Sequence, residues 1–347
     1  MATLLIHIGM PKTGTTSLQR ALSRASEGLL RVGVIYPTEF RNRGGYAHHP
    51  IADVLLQEKS AHAAALQPFF EYAKRNADSD ILISSEAFTN CLAQTRLPRF
   101  LHFLHACSAY HRVRVVMAFR RIDLFMESMY LHSVKAGETN VGFSEYISDR
   151  KFWSTELLRS LASLRESSVV QDVELPRYQR SAEFNDKILK SLQLETHKAC
   201  VGPLNSENQT LGLKAQSFFK FLSDIEREQN CTFRRWLLVR AFEAGKIPLE
   251  DEEYDFTIME DDERLFLHEM SLKAAHQFGV TEYAEYFNSD DTRPMRKRDL
   301  VRDNLRAQDI MAIREFQEAD ARRSRPKRHR ERQHDGQLTG GGGGRNV

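Results

Sequence analysis

Leu4-Leu5-Ile6-His7-Ile8-Gly9-Met10-Pro11-Lys12-Thr13-Gly14-Thr15-Thr16-Ser17-Leu18-Gln19 is the stretch that decides the fold of this chain. Its first part is apolar without clean alternation, as expected of a parallel strand covered on both faces. A glycine-bounded loop follows. Helical spacing then places Leu18, Ala21, Leu22 and Ala25 on one face from Thr15 onward. A strand, a glycine loop and a helix start together form a phosphate cradle, because the first turn of a helix offers unpaired N–H groups and the positive end of its dipole. Gly9, Gly14 and Thr16 match the nucleotide-binding pattern G-x-x-x-x-G-K-[ST]. The lysine does not. Thr15 occupies its slot, and Lys12 lies three residues earlier, inside the loop. The loop is therefore built for a phosphate, but its charge is not placed for the β- or γ-phosphate of a nucleoside triphosphate.

Outward from this stretch, strand patterns at Val32–Tyr36, Ile81–Ser84, Val113–Phe119 and Val169–Leu175 alternate with helical ones up to about residue 195. Such alternation predicts right-handed crossovers and an α/β fold: a parallel central sheet flanked by helices, three layers in the manner of P-loop NTPases. A helical C-terminal part follows. The expected domain spans residues 1–290, with the sheet core to about 210 and the helical part from 211 to 290. Residues 291–347 read as a charged, largely disordered, basic and glycine-rich tail. In parallel sheets ligands bind beyond the C-terminal strand ends. The Gly9–Ser17 loop, Glu86 and Arg120 each follow a strand, so they should meet on one sheet edge.

Composition constrains function less. The chain has 347 residues, 41% of them hydrophobic, and a formal net charge of +2, so overall charge points to no class of partner. Four cysteines, Cys91, Cys107, Cys200 and Cys231, lack metal-ligand spacing and read as buried free thiols of a reducing compartment. No charged leader or apolar span precedes the first strand, and the expected location is cytoplasmic. The run Arg322-Arg323-Ser324-Arg325-Pro326-Lys327-Arg328-His329-Arg330 either contacts an anionic surface or is a solvated extension. It lacks the interleaved aromatics of single-strand binders.

Pro11-Lys12-Thr13-Gly14-Thr15-Thr16-Ser17 resembles the 5′-phosphosulfate loop of the sulfotransferases that use 3′-phosphoadenosine 5′-phosphosulfate (PAPS). The resemblance implies that Lys12 meets the oxygen bridging phosphate and sulfate, and that Thr13, Gly14, Thr15, Thr16 and Ser17 hold the 5′-phosphate. A second motif of that family binds the 3′-phosphate: a strand ending in Arg, with Ser eight residues on. Here Val115-Val116-Met117-Ala118-Phe119-Arg120 is followed by Ser128, and the spacing selects Arg120 over the adjacent Arg121. Arg suits a phosphate because its guanidinium makes charge-assisted, often bidentate contacts. The resemblance covers roughly residues 4–210, and Tyr110–Gly137 is nearer the bacterial form than the cytosolic animal one. It implies PAPS as co-substrate, 3′-phosphoadenosine 5′-phosphate as product, no metal, and a hydroxyl or amine acceptor on a carbohydrate or small metabolite.

The acceptor must lose its proton to a positioned base. Glu86, just past a strand end, resembles the glutamate that serves several sulfotransferases; a helix cap is its other reading. His48 and His49, in a glycine-flanked loop, are the rival base or line the acceptor pocket, since histidine titrates in the right range. His7 faces the core, and Tyr178 either stacks on adenine or lies on the surface. Two other functions stay open: a P-loop kinase of a small metabolite or nucleoside, and a non-catalytic anion- or nucleic-acid-binding protein that uses its basic tail.

Overall fold

The structure, a computed structural model, describes residues 1–11, 13–57, 62–150, 153–178, 182–202, 211–229, 235–244, 246–247, 256–280, 296–297, 309, 311–313 and 315–316. Lys12, Cys231 and the basic run from Arg322 lie outside the described residues.

Five strands, β1 (Thr3–Gly9), β2 (Val34–Ile35), β3 (Asp80–Ser84), β4 (Arg112–Ala118) and β5 (Val170–Glu174), form an all-parallel sheet in the order β2-β3-β1-β4-β5. Every residue of the central β1 is buried. Its side chains alternate between two apolar layers. Leu4, Ile6 and Ile8 join the larger core, whereas Leu5 joins Leu18, Ala21, Leu22, Leu29, Ile188 and Leu192 on the other face. This accounts for the missing alternation in the sequence: both faces of the strand are dry. The helix Thr15–Arg24 covers the Leu5 face, and helices including Leu97–Ser108 cover the other. The three-layer α/β arrangement is the one expected.

The C-terminal helices Leu213–Gln229, Arg235–Glu243 and Asp261–Gln277 contribute Phe218, Phe219, Leu238, Leu267 and Ala275 to the larger core. Polar contacts fasten them to the helix Ile122–Ala136. Arg235 is buried and donates to the Val134 carbonyl at 2.7 Å. The Ile258 N–H donates to Glu127 Oε1 at 2.7 Å, and Arg264 meets the fully buried Asp123.

Several details differ from expectation. The second strand shrinks to Val34–Ile35, and short helices form at Phe88–Cys91 and Phe143–Arg150. A two-residue strand pair, β6 (Phe256–Thr257) with β7 (Arg296–Lys297), interrupts the helical C-terminal part. The packed chain also reaches beyond residue 290. Ile313 is buried, and Asp309 pairs with the equally buried Lys214 at 3.1 Å, so an apolar side chain and a matched charge hold part of the supposed tail on the domain. Cys91 and Cys107 are buried thiols, but Cys200 is exposed.

Candidate functional site

Because all five strands of the large sheet run in parallel, the residues after β1, β3, β4 and β5 converge on one edge. The loop after β1 is held from within. Thr13 is buried and donates its hydroxyl to the Met10 carbonyl at 2.7 Å, with Thr15 Oγ1 3.3 Å away. Thr89 donates to the Gly9 carbonyl at 2.9 Å. A Cβ on Gly9 would lie 2.3 Å from Thr15 Oγ1, so only glycine lets the helix start close over the strand end. Gly14, at φ 72°, takes the left-handed conformation that opens the helix Thr15–Arg24. Among the described residues no side chain caps that helix, and no acidic residue stands in its first turn. The N–H groups of that turn and the positive dipole end suit an anion. Of the predicted hydroxyls, Thr13 and Thr15 are buried and shape the loop, while Thr16 and Ser17 are half-buried in the first helical turn.

Arg120 stands beside this loop. Its backbone N–H points at Met10 Sδ, 3.3 Å away. An isolated bridge continues β4 into Phe119 opposite Arg177, and the Tyr178 N–H donates to the Phe119 carbonyl at 2.7 Å. This places the Tyr178 ring 5.6 Å from the Arg120 guanidinium, and Tyr178 is also the nearest neighbour a Cβ on Gly14 would meet. Tyr178 therefore stands between the Gly14 turn and the Arg120 guanidinium. Burial lowers the pKa of Arg120, although such a guanidinium keeps its proton. A cation partly withdrawn from water gains more from a phosphate than a fully solvated one. Arg121 is spent elsewhere: it grips the buried Asp123 with two bonds of 2.7 and 2.8 Å. Those bonds, together with His268, hold Asp123 well below the usual carboxylate range despite its burial. Ser128 lies half-buried on the second turn of the helix that starts at Ile122.

Glu86 follows β3 on the opposite side of the loop. Gln19 Nε2, from the phosphate-loop helix, donates to Glu86 Oε2 at 2.9 Å. The other oxygen, Oε1, faces His49 Nε2 at 3.6 Å, with both side chains part-exposed. Ser85 is buried, accepts the Ala87 N–H at 3.1 Å, and meets His49 Nδ1 at 2.7 Å. When that hydroxyl donates to Nδ1, the neutral imidazole carries its proton on Nε2, toward Glu86.

The two adjacent histidines part company. The helix His49–Leu56 begins at His49, which puts that ring at the site. His48 is fully buried: its Nδ1 accepts the Ser84 N–H at 3.1 Å, and its Nε2 lies 2.9 Å from the Pro37 carbonyl. Burial lowers its pKa to about 3. His48 braces the loop against β3 and has no ring nitrogen left to face an acceptor. His7 is buried below, bonded to Ser84 Oγ at 2.8 Å, and burial lowers its pKa to about 4. Gln19 and Ser85 carry no motif, and sequence reasoning misses them. The one signal for Gln19 is a polar side chain breaking the apolar face of the first helix.

Among the described residues no helix is long and apolar enough to cross a membrane. No curated protein matches the chain, and no solved structure does. A family model described as a sulfotransferase domain matches residues 4–193, which include the phosphate loop, Gln19, His49, Glu86, Arg120, Ser128 and Tyr178. That match takes in more than half of the chain and every residue of the sheet edge just described, and on it this chain belongs to the sulfotransferase domain family.

Proposed function

We propose that this sulfotransferase takes its sulfuryl group from PAPS and passes it to a hydroxyl or amine of a carbohydrate or small metabolite. The observation that carries this reading is the meeting of two separate anion-binding features, a helix start with no side-chain cap among the described residues and the part-buried Arg120, around one tyrosine. An adenosine with phosphates at both 3′ and 5′ positions needs such a pair. The N–H groups of the first helical turn, with Gly14, Thr16 and Ser17, hold the 5′-phosphate. Arg120 and Ser128 hold the 3′-phosphate, and Tyr178 packs on the adenosine between them. Lys12 is assigned to the bridging oxygen, where it balances the charge that grows as the S–O bond to the phosphate breaks. Glu86 takes the acceptor's proton as the new bond to sulfur forms. His49 lines the acceptor side of the carboxylate.

Titration calorimetry with adenosine 3′,5′-diphosphate, in chelator and without magnesium, tests the reading. The expected result is saturable binding that adenosine 5′-phosphate reproduces only weakly. A kinase of the same fold gives the opposite: magnesium-dependent ATP binding and indifference to the 3′-phosphate.

A further inference from the structure

Gln19 is an anomaly on the first helix. It is fully buried, and its neighbours Leu18, Ala21 and Leu22 pack as apolar core. Its amide N–H is spent on Glu86, which leaves its own carbonyl, Oε1, buried and without a hydrogen-bond partner among the described residues. A buried acceptor left without a partner costs stability. A polar group kept at a loss is the mark of a site rather than a core.

The place of Gln19 shows what it does. It lies one helical turn beyond Thr15, on the same face. The rigid element whose start forms the phosphate cradle therefore also grips Glu86. The grip is selective. It occupies Oε2 and leaves Oε1 turned toward His49 on the part-exposed side. A carboxylate free to rotate would present either oxygen. One pinned at Oε2 presents Oε1 alone, at a fixed distance from the donor loop.

We infer that Gln19 is a positioning residue that ties the acceptor base to the phosphate-binding helix, so that donor and base are held by one rigid body. The inference rests on the reading of Glu86 as the base. Transfer rates depend steeply on such registry, since a misplacement of about 1 Å can cost on the order of a hundredfold. Gln19 touches neither substrate. Its contribution falls on kcat, while the affinity of the donor site stays as it was.

The test uses the full chain as wild type, Gln19→Leu, Glu86→Gln and the double variant. Three quantities are read: the midpoint of thermal unfolding, the Kd for adenosine 3′,5′-diphosphate, and the rate at which saturating PAPS is converted to that diphosphate with water as acceptor. Gln19→Leu removes an unmade buried acceptor and one hydrogen bond to a part-exposed carboxylate, which offset each other, so it should unfold near the wild-type temperature and should bind the diphosphate within about threefold of wild type. It should turn over about 10- to 100-fold more slowly. On the Glu86→Gln background it should slow the reaction no further, because the group it positions is already gone. Two results overturn the inference: a Gln19→Leu enzyme at full rate, or a loss of rate of equal size in both backgrounds together with a lowered unfolding temperature. A wild type that neither binds the diphosphate nor consumes PAPS overturns the donor assignment, and the role of Gln19 with it.

Discussion

Replacing Arg120 by Ala tests the proposed division of the donor site into two anion-binding halves. Arg120 is part-buried, and it is placed by its backbone contact to Met10 and by the Tyr178 ring. A hydrogen bond to a charged group contributes about 1.5–3 kcal/mol. A bidentate contact between guanidinium and phosphate lies at the upper end of that range. At about 1.36 kcal/mol per decade, Arg120→Ala should raise the Kd for adenosine 3′,5′-diphosphate by about 10- to 150-fold. Adenosine 5′-phosphate lacks the group that Arg120 is assigned to meet, and its affinity should change by less than about threefold. Calorimetry on both proteins with both ligands closes a thermodynamic cycle, and its coupling term isolates the contact to the 3′-phosphate. Arg120→Lys keeps the charge but loses the planar fork, and should fall between the two. Equal weakening of both ligands would refute the reasoning, since Arg120 would then act on the general field or fold of the site. Unchanged preference for the 3′-phosphate would refute it as well.

Two further predictions concern the frame of the site. Gly9→Ala places a methyl 2.3 Å from Thr15 Oγ1 and 2.6 Å from Thr15 Cγ2, so the helix start must shift. Overpacking of this kind costs about 1–3 kcal/mol, and diphosphate binding should weaken by at least about tenfold in calorimetry while the circular dichroism stays native. Wild-type binding in that variant would show that the close approach of Thr15 to β1 is dispensable. His7 and His48 titrate near 4 and 3 in the fold because burial disfavours their charged forms, against 6.5 when exposed. Below pH 6.5 the unfolded chain therefore binds more protons than the native one. The stability of the neutral rings is complete above about pH 6.5 and is lost as pH falls toward the folded values, by about 1.4 kcal/mol per pH unit for each ring. Urea unfolding at about pH 7, 6 and 5 should reveal this slope, and His48→Gln should remove about one proton's share of it. An unaltered slope would contradict the buried, neutral state of His48.

The local parts of this protein are legible in its amino-acid sequence. Gly9, Gly14 and the helix spacing of Leu18, Ala21 and Leu22 announce a strand, a loop and a helix within a contiguous stretch, and the sheet has the predicted class. Spacing prefers Arg120 to Arg121, and Arg121 is committed to Asp123 in the fold. Placing His48 at the site alongside His49 fails for a physical reason. Adjacent residues at a helix start project in directions about 100° apart. One ring enters the core beneath Pro37 while the next meets Glu86, and composition does not distinguish them. The packed segment around Asp309 and Ile313 is hidden by the charge that surrounds it in the sequence.

The glycine loop after β1, the arginine that follows β4 and the alternation that makes the sheet parallel were all legible in the sequence, because each is written in neighbouring residues whose conformations depend on one another. Only the tertiary structure decided how the loop, Gln19, His49 and Glu86 stand together. Gln19 and Glu86 are 67 residues apart, and they meet because β1 and β3 pair in parallel register, Leu4 with Ile81 through His7 with Ser84. That register is set by the packing of two apolar faces over the whole sheet. The alignment of Glu86 with the helix start is a property of the assembled layers, and no segment of the chain carries it alone.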